Sequence, residues 1–340
     1  QTTGGIARLA TLLNQRKEAA EKRGPVLVLD GGDWTMGTLF HTITRETGAE
    51  LQLLKRLGYD AVAIGNHEFD FRPQGLARMI RAAGREVGEL MPILSANMVF
   101  SPEHSEDDGL EALATEGVVK PYVVIEKGGL RFGVLGLMGI DAKEVSPAMW
   151  PVTFEEPIAS SQKVIKQLLE TEDVDVIIAA SHCGVLRNED GQWYGEEVDL
   201  VKAVPEIDVV VGGHSHTALK EPISRNGAVI VQAGADSRFL GELRMQYSKA
   251  GLKLLSYNLH PIDDSIPGDP IITAEIERFK SIVTDKVLQA KHFDFDQALV
   301  EVEQDFGRSY DEYVLGNLVT DAIRRATGAE IAFTGNGTIR

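Results

Sequence analysis

Short apolar runs alternate with amphipathic segments along most of the chain, and the two patterns predict different elements. Apolar residues at helical spacing predict helices, whereas short continuous apolar runs predict buried strands. The predicted helices cover residues 6–22, 46–57, 158–170, 271–290 and 313–326, and the predicted strands cover residues 26–29, 60–64, 174–180, 207–211 and 330–334. This alternation indicates a layered α/β architecture rather than a helical bundle or an all-β sandwich.

Two further pairs of apolar segments predict antiparallel hairpins. Residues 122–126 and 130–137 flank Lys-Gly-Gly, and residues 240–247 and 252–260 flank Lys-Ala-Gly. Glycine-containing turns between strand-like runs are typical of hairpins, so the predicted sheet is mixed. Residues 101–117 are polar and acidic, and we interpret them as a surface loop.

The segment 262–270 is rich in Asp, Ser, Pro and Gly and predicts a domain boundary. In this interpretation residues 1–265 form the first domain and residues 266–290 a linker helix. Residues 291–340 are the opening part of a second domain, because about 50 residues are too few for an independent core.

Four of the predicted strands are each followed by polar residues of the kinds that bind metal ions. These residues are Asp33, Asn66, His182, His214 and His216. Functional groups in open α/β sheets collect at the carboxyl ends of strands. Oxygen and imidazole donors together suit Mn, Zn, Fe or Co, whereas an all-oxygen set suits Mg or Ca. Each residue alone is also compatible with a turn, a helix cap or a satisfied core histidine, but their joint occurrence favours a metal site.

The spacing of His214 and His216 bears on the number of ions. Side chains separated by one residue point to opposite sides of an extended segment. Either a loop turns both imidazoles inward, or each imidazole serves a different ion of a pair. A carboxylate between two ions is the expected layout of a hydrolase whose ions lie about 3.5–4 Å apart.

The composition limits the partners of the chain. Its 340 residues carry 34 Lys and Arg against 51 Asp and Glu, a formal net charge of −17. No concentrated basic stripe offsets this excess, which argues against a surface for nucleic acids or anionic membranes.

No apolar run approaches the roughly 20 residues of a membrane span. The single cysteine, Cys183, excludes an internal disulfide, and the oligomeric state is left open.

Four sequence blocks resemble, in order and approximate spacing, the calcineurin-like metallophosphoesterases. The blocks are Gly-Asp at 32–33, Gly-Asn-His-Glu-Phe-Asp at 65–70, Ser-His-Cys-Gly at 181–184 and Gly-Gly-His-Ser-His-Thr at 212–217. The Phe-Asp of the second block and Leu-Gly-Asn-Leu-Val-Thr-Asp-Ala at 315–322 resemble the 5'-nucleotidase branch. The resemblance implies a mixed-sheet metallophosphoesterase sandwich with helices on the outer faces, followed by a linker helix and a fragment of a second α+β domain.

The same resemblance implies a role for each candidate metal ligand. Asp33 is the expected bridge between two divalent transition-metal ions, Mn, Zn, Fe or Co. The shell of one ion is completed by Asn66, His182 and His214, and His216 serves the other ion.

The resemblance also implies the catalytic and substrate-binding residues. His67 is the expected catalytic residue beside the phosphoryl group, and Asp70 is expected to orient it. Arg340, in Asn-Gly-Thr-Ile-Arg, is the expected phosphate-binding arginine. Two features depart from the family pattern. Ser309 stands where an arginine is usual. The family's first Asp-x-His block should precede Gly4, yet the chain starts at Gln1, so we expect that a preceding segment is missing from this chain.

The function implied by the resemblance is dimetal-dependent hydrolysis of a small phosphate ester, most often a 5'-nucleotide, to a nucleoside and phosphate. The alternatives within the family are a 2',3'-cyclic phosphodiesterase and a nucleotide-sugar pyrophosphatase. From a different class, the chain is also compatible with a metal-binding or partner-binding module without turnover. The family resemblance further implies an extracytoplasmic location, periplasmic or at the cell surface.

Overall fold

The computed structural model describes residues 2–35, 37–249, 251–302 and 313–335. The helices are α1 (Ile6–Glu21), α2 (His41–Thr47), α3 (Ala49–Leu57), α4 (Arg72–Val87), α5 (Asp108–Thr115), α6 (Ile140–Glu144), α7 (Pro157–Thr171), α8 (Glu196–Ala203), α9 (Pro270–Val283) and α10 (Val314–Thr327). None of the helices in these ranges combines the length and the apolar character needed to cross a bilayer. The chain divides into two compact units, Gln1–Val283 and Thr284–Arg340.

Among the described residues, the strands of the first unit form two main sheets and three two-stranded antiparallel pairs. They are β1 (Leu29–Asp30), β2 (Ala61–Ala63), β3 (Ile93–Leu94), β4 (Met98–Val99), β5 (Val119–Lys120), β6 (Tyr122–Lys127), β7 (Leu130–Met138), β8 (Thr153–Phe154), β9 (Val176–His182), β10 (Leu186–Arg187), β11 (Trp193–Tyr194), β12 (Val209–Gly212), β13 (Ile223–Arg225), β14 (Ala228–Val231), β15 (Phe239–Ser248) and β16 (Gly251–Pro261). The smaller sheet is parallel with the order β1-β2-β3-β5. The larger sheet has the order β13-β14-β12-β9-β7-β6 and is mixed, as predicted.

The two sheets pack face to face, and helices cover their outer faces. Ala63 of the smaller sheet lies in one buried cluster with Val134 and Ile178 of the larger sheet. On the outer side of the smaller sheet the core contains residues of α3, α4 and α5, and on the outer side of the larger sheet it contains residues of α7 and α8. The fold is therefore the predicted sandwich with helices on its outer faces.

The strand register brings the polar residues after the strands to one edge of the sandwich. In the parallel pair of β9 and β12, Gly212 lies opposite Ser181, so His182 and the loop after β12 emerge side by side. In the pair of β7 and β9, Met138 lies opposite His182. The helix α6, which begins two residues after β7, therefore starts at the same edge.

Both predicted hairpins are confirmed, but three other local predictions were wrong. The strand predicted over 26–29 is only β1, and it is half-buried. The helix predicted over 46–57 is divided into α2 and α3 at Gly48, which has a φ of 59° and packs closely against Ala83. The segment 101–117 contains α5, because Leu110 and Leu113, one helical turn apart, are buried against the core of the smaller sheet.

The second unit contains the predicted helix α10 but lacks the predicted strand at 330–334. Residues 331–335 have no regular secondary structure, and Ile331 and Phe333 are 79% and 90% exposed. Alternating apolar residues make a strand only when a partner is available, which the local pattern does not encode. The helix predicted over 271–290 is α9, followed by a π-helical turn at Thr284–Leu288 and a 3-10 turn at Gln289–Lys291.

Candidate metal centre

Polar atoms from both sheets converge at the shared edge of the sandwich. Asp33 and Asn66 lie in the loops after β1 and β2, whereas His182 ends β9 and His214 lies two residues after β12. His182 Nε2 lies 3.1 Å from both Asp33 Oδ2 and Asn66 Oδ1. His214 Nδ1 lies 3.2 Å from Asn66 Oδ1. We refer to Asp33, Asn66, His182 and His214 as the four-donor cluster.

His182 is fully buried, and a backbone carbonyl orients its ring. Nδ1 lies 2.8 Å from Gly31 O, and only an N–H at Nδ1 satisfies that acceptor. In the neutral ring Nε2 then carries a lone pair, which faces the side-chain oxygens of Asp33 and Asn66. Acceptors that face one another repel unless a cation lies between them, either a ring proton or a metal ion.

His214 shows the same arrangement with its two ring nitrogens exchanged. Nε2 lies 2.8 Å from Asp141 Oδ2, so an N–H there donates to the carboxylate and Nδ1 carries the lone pair. That lone pair faces Asn66 Oδ1, the oxygen that His182 Nε2 also faces. A proton on one imidazole ring can satisfy only that ring's contact with Asn66 Oδ1. A cation shared by His182, His214 and Asn66 satisfies both contacts.

Three separations among these atoms, Asp33 to His182, Asn66 to His182 and Asn66 to His214, are compatible with coordination of one divalent ion. Ligand atoms about 2.1 Å from a common ion lie about 3.0 Å apart in octahedral and about 3.4 Å apart in tetrahedral geometry. The observed 3.1–3.2 Å separations fall in that interval. Within the described residues no group of three or more His, Cys, Asp or Glu side chains forms a metal site by itself. The amide oxygen of Asn66 is therefore the link that joins the two histidines in one donor set.

The loops that carry the donors have strained backbone and approach one another closely. Asp33 and His214 have φ values of 60° and 64°, in the left-handed region that costs energy for residues other than glycine. A Cβ on Gly32 would lie 2.8 Å from both Gly65 N and His182 Nδ1. Only glycine at position 32 lets the loops after β1 and β2 and the end of β9 approach so closely, and backbone strain of this kind is typical of functional sites.

Asp33 and His182 form a buried ion pair in which each charge shifts the pKa of the other group. Burial raises the pKa of Asp33, but the charge and hydrogen bond of His182, together with His67, outweigh burial and lower the pKa to about 2. Burial lowers the pKa of His182, but the charge and hydrogen bond of Asp33 outweigh it and raise the pKa to about 9. Asp33 is therefore a carboxylate at neutral pH, and a metal ion would replace the ring proton of His182.

The buried side chain of Glu68 connects the loop after β1 to the loop after β2. Its Oε2 accepts hydrogen bonds from Asp33 N (2.9 Å) and Gly65 N (2.6 Å), and its Oε1 accepts one from Thr35 N (3.0 Å). Burial and the charge of Asp33 raise the pKa of Glu68. The contacts fix the backbone of the loop that carries Asp33 relative to the loop that carries Asn66.

A second pair of side chains lies beside the four-donor cluster. His67 Nδ1 lies 3.1 Å from both carboxylate oxygens of Asp70, and the His67 backbone N–H donates to Asp33 Oδ1 at 2.8 Å. On its other side Asp70 Oδ2 lies 3.5 Å from His41 Nε2, and the His41 ring stacks on Phe71. The structure thus places Asp70 where it can orient His67.

His216 and Arg340 are the two remaining predicted site residues. His216 is exposed, with a φ of 54°, two residues beyond His214, and its assignment to a second ion stays a prediction. Arg340 lies outside the described residues, so its phosphate contact also stays a prediction. Asp141 and His41 could not be recognised from the sequence, since neither lies in a motif and only the folded chain brings them to the site.

Most of the first unit matches a known family. Residues 2–218 match the family model described as Calcineurin-like phosphoesterase. The chain belongs to the calcineurin-like phosphoesterases. Members of this family use divalent metal ions, which agrees with the oxygen and nitrogen donors at the edge of the sandwich.

Proteins similar to this calcineurin-like phosphoesterase include named nucleotidases. The 5'-nucleotidase of Bos taurus is 32% identical over 299 residues, which cover 82% of this chain and 47% of that protein. The trifunctional nucleotide phosphoesterase protein YfkN of Bacillus subtilis is 27% identical over 361 residues, covering 98% of this chain and 24% of that protein. The solved 5'-nucleotidase precursor from Thermus thermophilus superimposes with a TM-score of 0.73 at 27% identity, covering 96% of this chain and 62% of that chain. The chain spans about half or less of the length of these two curated relatives.

Proposed function

We propose that this chain hydrolyses phosphate esters with divalent transition-metal ions, one of them bound by the four-donor cluster. The observation that carries the proposal is the convergence of four metal-binding side chains from two sheets beside His67 and Asp70. Bound ions would supply hydroxide near neutral pH and neutralise charge on the phosphoryl oxygens. In the same proposal Asp33 and His216 would hold a second ion.

His67 stabilises the transition state and protonates the leaving oxygen in this proposal. The two Asp70 oxygens at Nδ1 fix the plane of the imidazole ring. A proton on Nε2 of that ring can then be donated to the leaving alkoxide. The backbone hydrogen bond from His67 to Asp33 holds the residue that carries this imidazole next to the carboxylate proposed to bind metal.

A 5'-nucleotide is the substrate class that the relatives support best. The Bos taurus protein and the Thermus thermophilus structure are both named 5'-nucleotidase, and YfkN is named a nucleotide phosphoesterase. A 2',3'-cyclic nucleotide and a nucleotide sugar are the competing substrates from the same family. A module that binds metal without turnover is the competing function from another class.

We also propose the predicted domain organisation, in which residues 291–340 belong to a substrate-binding domain and Arg340 binds phosphate. The helix α10 supports this proposal, because Val314 and Leu318 are 47% and 55% exposed. An exposed apolar stripe on a helix is typical of a face that packs in a larger domain. An extracytoplasmic location is proposed on the family resemblance.

The test is hydrolysis of AMP, 2',3'-cyclic AMP and UDP-glucose by the protein in the presence of Mn²⁺, Zn²⁺ or Co²⁺. We expect release of phosphate from AMP, abolished by a chelator and restored by added metal. Faster hydrolysis of one of the other two substrates would replace the nucleotidase proposal with that activity. Bound metal without hydrolysis of any of the three would favour the binding module.

A further inference from the structure

One carboxylate at the metal centre lies outside every motif of the family resemblance. Asp141, the second residue of α6, places Oδ2 2.8 Å from His214 Nε2. Its side chain is 72% exposed, so its removal opens no cavity in the core. The contact therefore bears on the orientation of His214 rather than on packing.

The hydrogen bond decides which nitrogen of His214 can bind a metal. A neutral imidazole has one N–H and one lone pair, and a carboxylate at Nε2 selects the tautomer with the N–H there. The lone pair is then on Nδ1, which points at Asn66 Oδ1 from 3.2 Å. With the N–H on Nδ1 instead, His214 would present a donor to the metal position and could not be a ligand.

The position of Asp141 is itself fixed by three further hydrogen bonds. Glu196 Oε2 accepts from Ile140 N at 2.8 Å, and Glu196 Oε1 accepts from Asp141 N at 3.0 Å. Gly139 N donates to His182 O at 3.1 Å. The start of α6 is thereby tied to the strand that ends in His182, so the Asp141 carboxylate keeps its place although it is exposed to solvent.

We propose that Asp141 is a positioning residue that holds His214 in the metal-binding tautomer and orientation, an inference that rests on the proposed metal-dependent function. Carboxylates that accept from the outer nitrogen of a histidine ligand orient the ring and raise its basicity. Asp141, in the helix after β7, orients His214 through its side chain, whereas Gly31 orients His182 through its backbone carbonyl. One histidine of the four-donor cluster is thus oriented by a side chain and the other by a backbone group.

The first test is Mn²⁺ binding to metal-stripped protein by isothermal titration calorimetry. We expect Asp141→Ala to weaken binding about 10–100-fold and Asp141→Asn, which keeps an acceptor oxygen, to weaken it less. The matched control is Asp199→Ala, since Asp199 is 64% exposed and pairs only locally with Lys202 at 2.8 Å. The control should bind Mn²⁺ like the wild type. Equal affinity of Asp141→Ala and the control would overturn the proposal.

The second test measures the tautomer directly and does not need a metal. Long-range ¹H–¹⁵N spectra of the metal-stripped protein report which imidazole nitrogen carries the proton, and His214→Ala assigns the signals. We expect His214 to carry its proton on Nε2 in the wild type and to lose that preference in Asp141→Ala. If the wild type binds no Mn²⁺, the metal-dependent function fails, whereas an unchanged tautomer in Asp141→Ala contradicts the positioning role alone.

Discussion

The four-donor cluster and the His67–Asp70 pair are neighbours, but the chain holds them in different ways. In the cluster, His182 and Asn66 are 0% and 4% exposed, and Gly31 O orients the His182 ring. In the pair, the His67 and Asp70 side chains are 16% and 28% exposed. The pair is held by the contact between its own side chains at a short 3-10 turn, by the contact of Asp70 with His41 and by the backbone hydrogen bond from His67 to Asp33.

The difference indicates that the cluster and the pair meet different structural requirements. Metal ligands need fixed separations, which strained loops and close glycine contacts provide. A residue that meets a phosphoryl group and a leaving oxygen needs access to solvent, which a partly exposed turn provides. Changes in the cluster should therefore affect metal binding and activity together, whereas changes in the pair should affect activity alone.

The largest effect is expected for Asp33→Ala. Asp33 is the only carboxylate of the four-donor cluster, so its loss leaves a neutral donor set for a doubly charged ion. We expect metal content and phosphate release both to fall to the background, measured by elemental analysis and by an assay of AMP hydrolysis. Asp236→Ala is the control, since Asp236 is 69% exposed and pairs with Arg238. Two retained ions in Asp33→Ala would contradict the bridging role.

The next effect is expected for His67→Ala. This change removes the imidazole of the pair but none of the four donors, so kcat should fall by about 10²–10⁴-fold with unchanged metal content. Steady-state kinetics and elemental analysis of the same preparation give both values. Loss of the metal in this variant would show that His67 belongs to the cluster and would remove the distinction between the two regions.

A smaller effect is expected for Gly32→Ala, which tests the close approach of the loops. The new Cβ meets Gly65 N and His182 Nδ1 at 2.8 Å, and the residue has a φ of 95°. Gly37→Ala is the matched control, because Gly37 has a φ of 88° but open space around its Cβ position. We expect Gly37→Ala to cost about 1–3 kcal/mol of unfolding free energy, and Gly32→Ala to cost more and also weaken Mn²⁺ binding. Equal costs in urea unfolding would mean that the loops do not depend on this contact.

The smallest effect is expected from Glu197, a buried residue below the loop that carries His214. Its Oε1 accepts from Gly184 N at 3.1 Å, and burial raises its pKa from 4.5 to about 7. Because folding raises the pKa of Glu197, the folded state binds the proton more tightly than the unfolded state does. Protonated Glu197 therefore contributes fully to the unfolding free energy below pH 4.5, and this contribution is lost as the pH rises through about 7. Glu197→Gln should flatten the fall in unfolding free energy over that interval. A parallel pH profile in the variant would show that Glu197 does not titrate there.

The strand ends and the polar residues that follow them could be predicted from the sequence because both depend on local pattern. An apolar run followed by Asn66 or His182 is visible without any tertiary information. The contacts of Asp141 with His214 and of His41 with Asp70 could not be predicted, because each depends on the placement of a helix that the local sequence pattern does not specify. Helix α5 was missed for a related reason, since only the packing of Leu110 and Leu113 distinguishes it from an acidic loop.

The central claim is that donors from both sheets share one divalent ion, and anomalous diffraction from crystals soaked in Mn²⁺ tests it most directly. We predict a manganese peak about 2.1–2.2 Å from Asp33 Oδ2, Asn66 Oδ1, His182 Nε2 and His214 Nδ1. An absent peak, with the Asn66 amide nitrogen turned toward the two imidazoles, would contradict the claim, because the cluster would then be a hydrogen-bonded network complete without a metal.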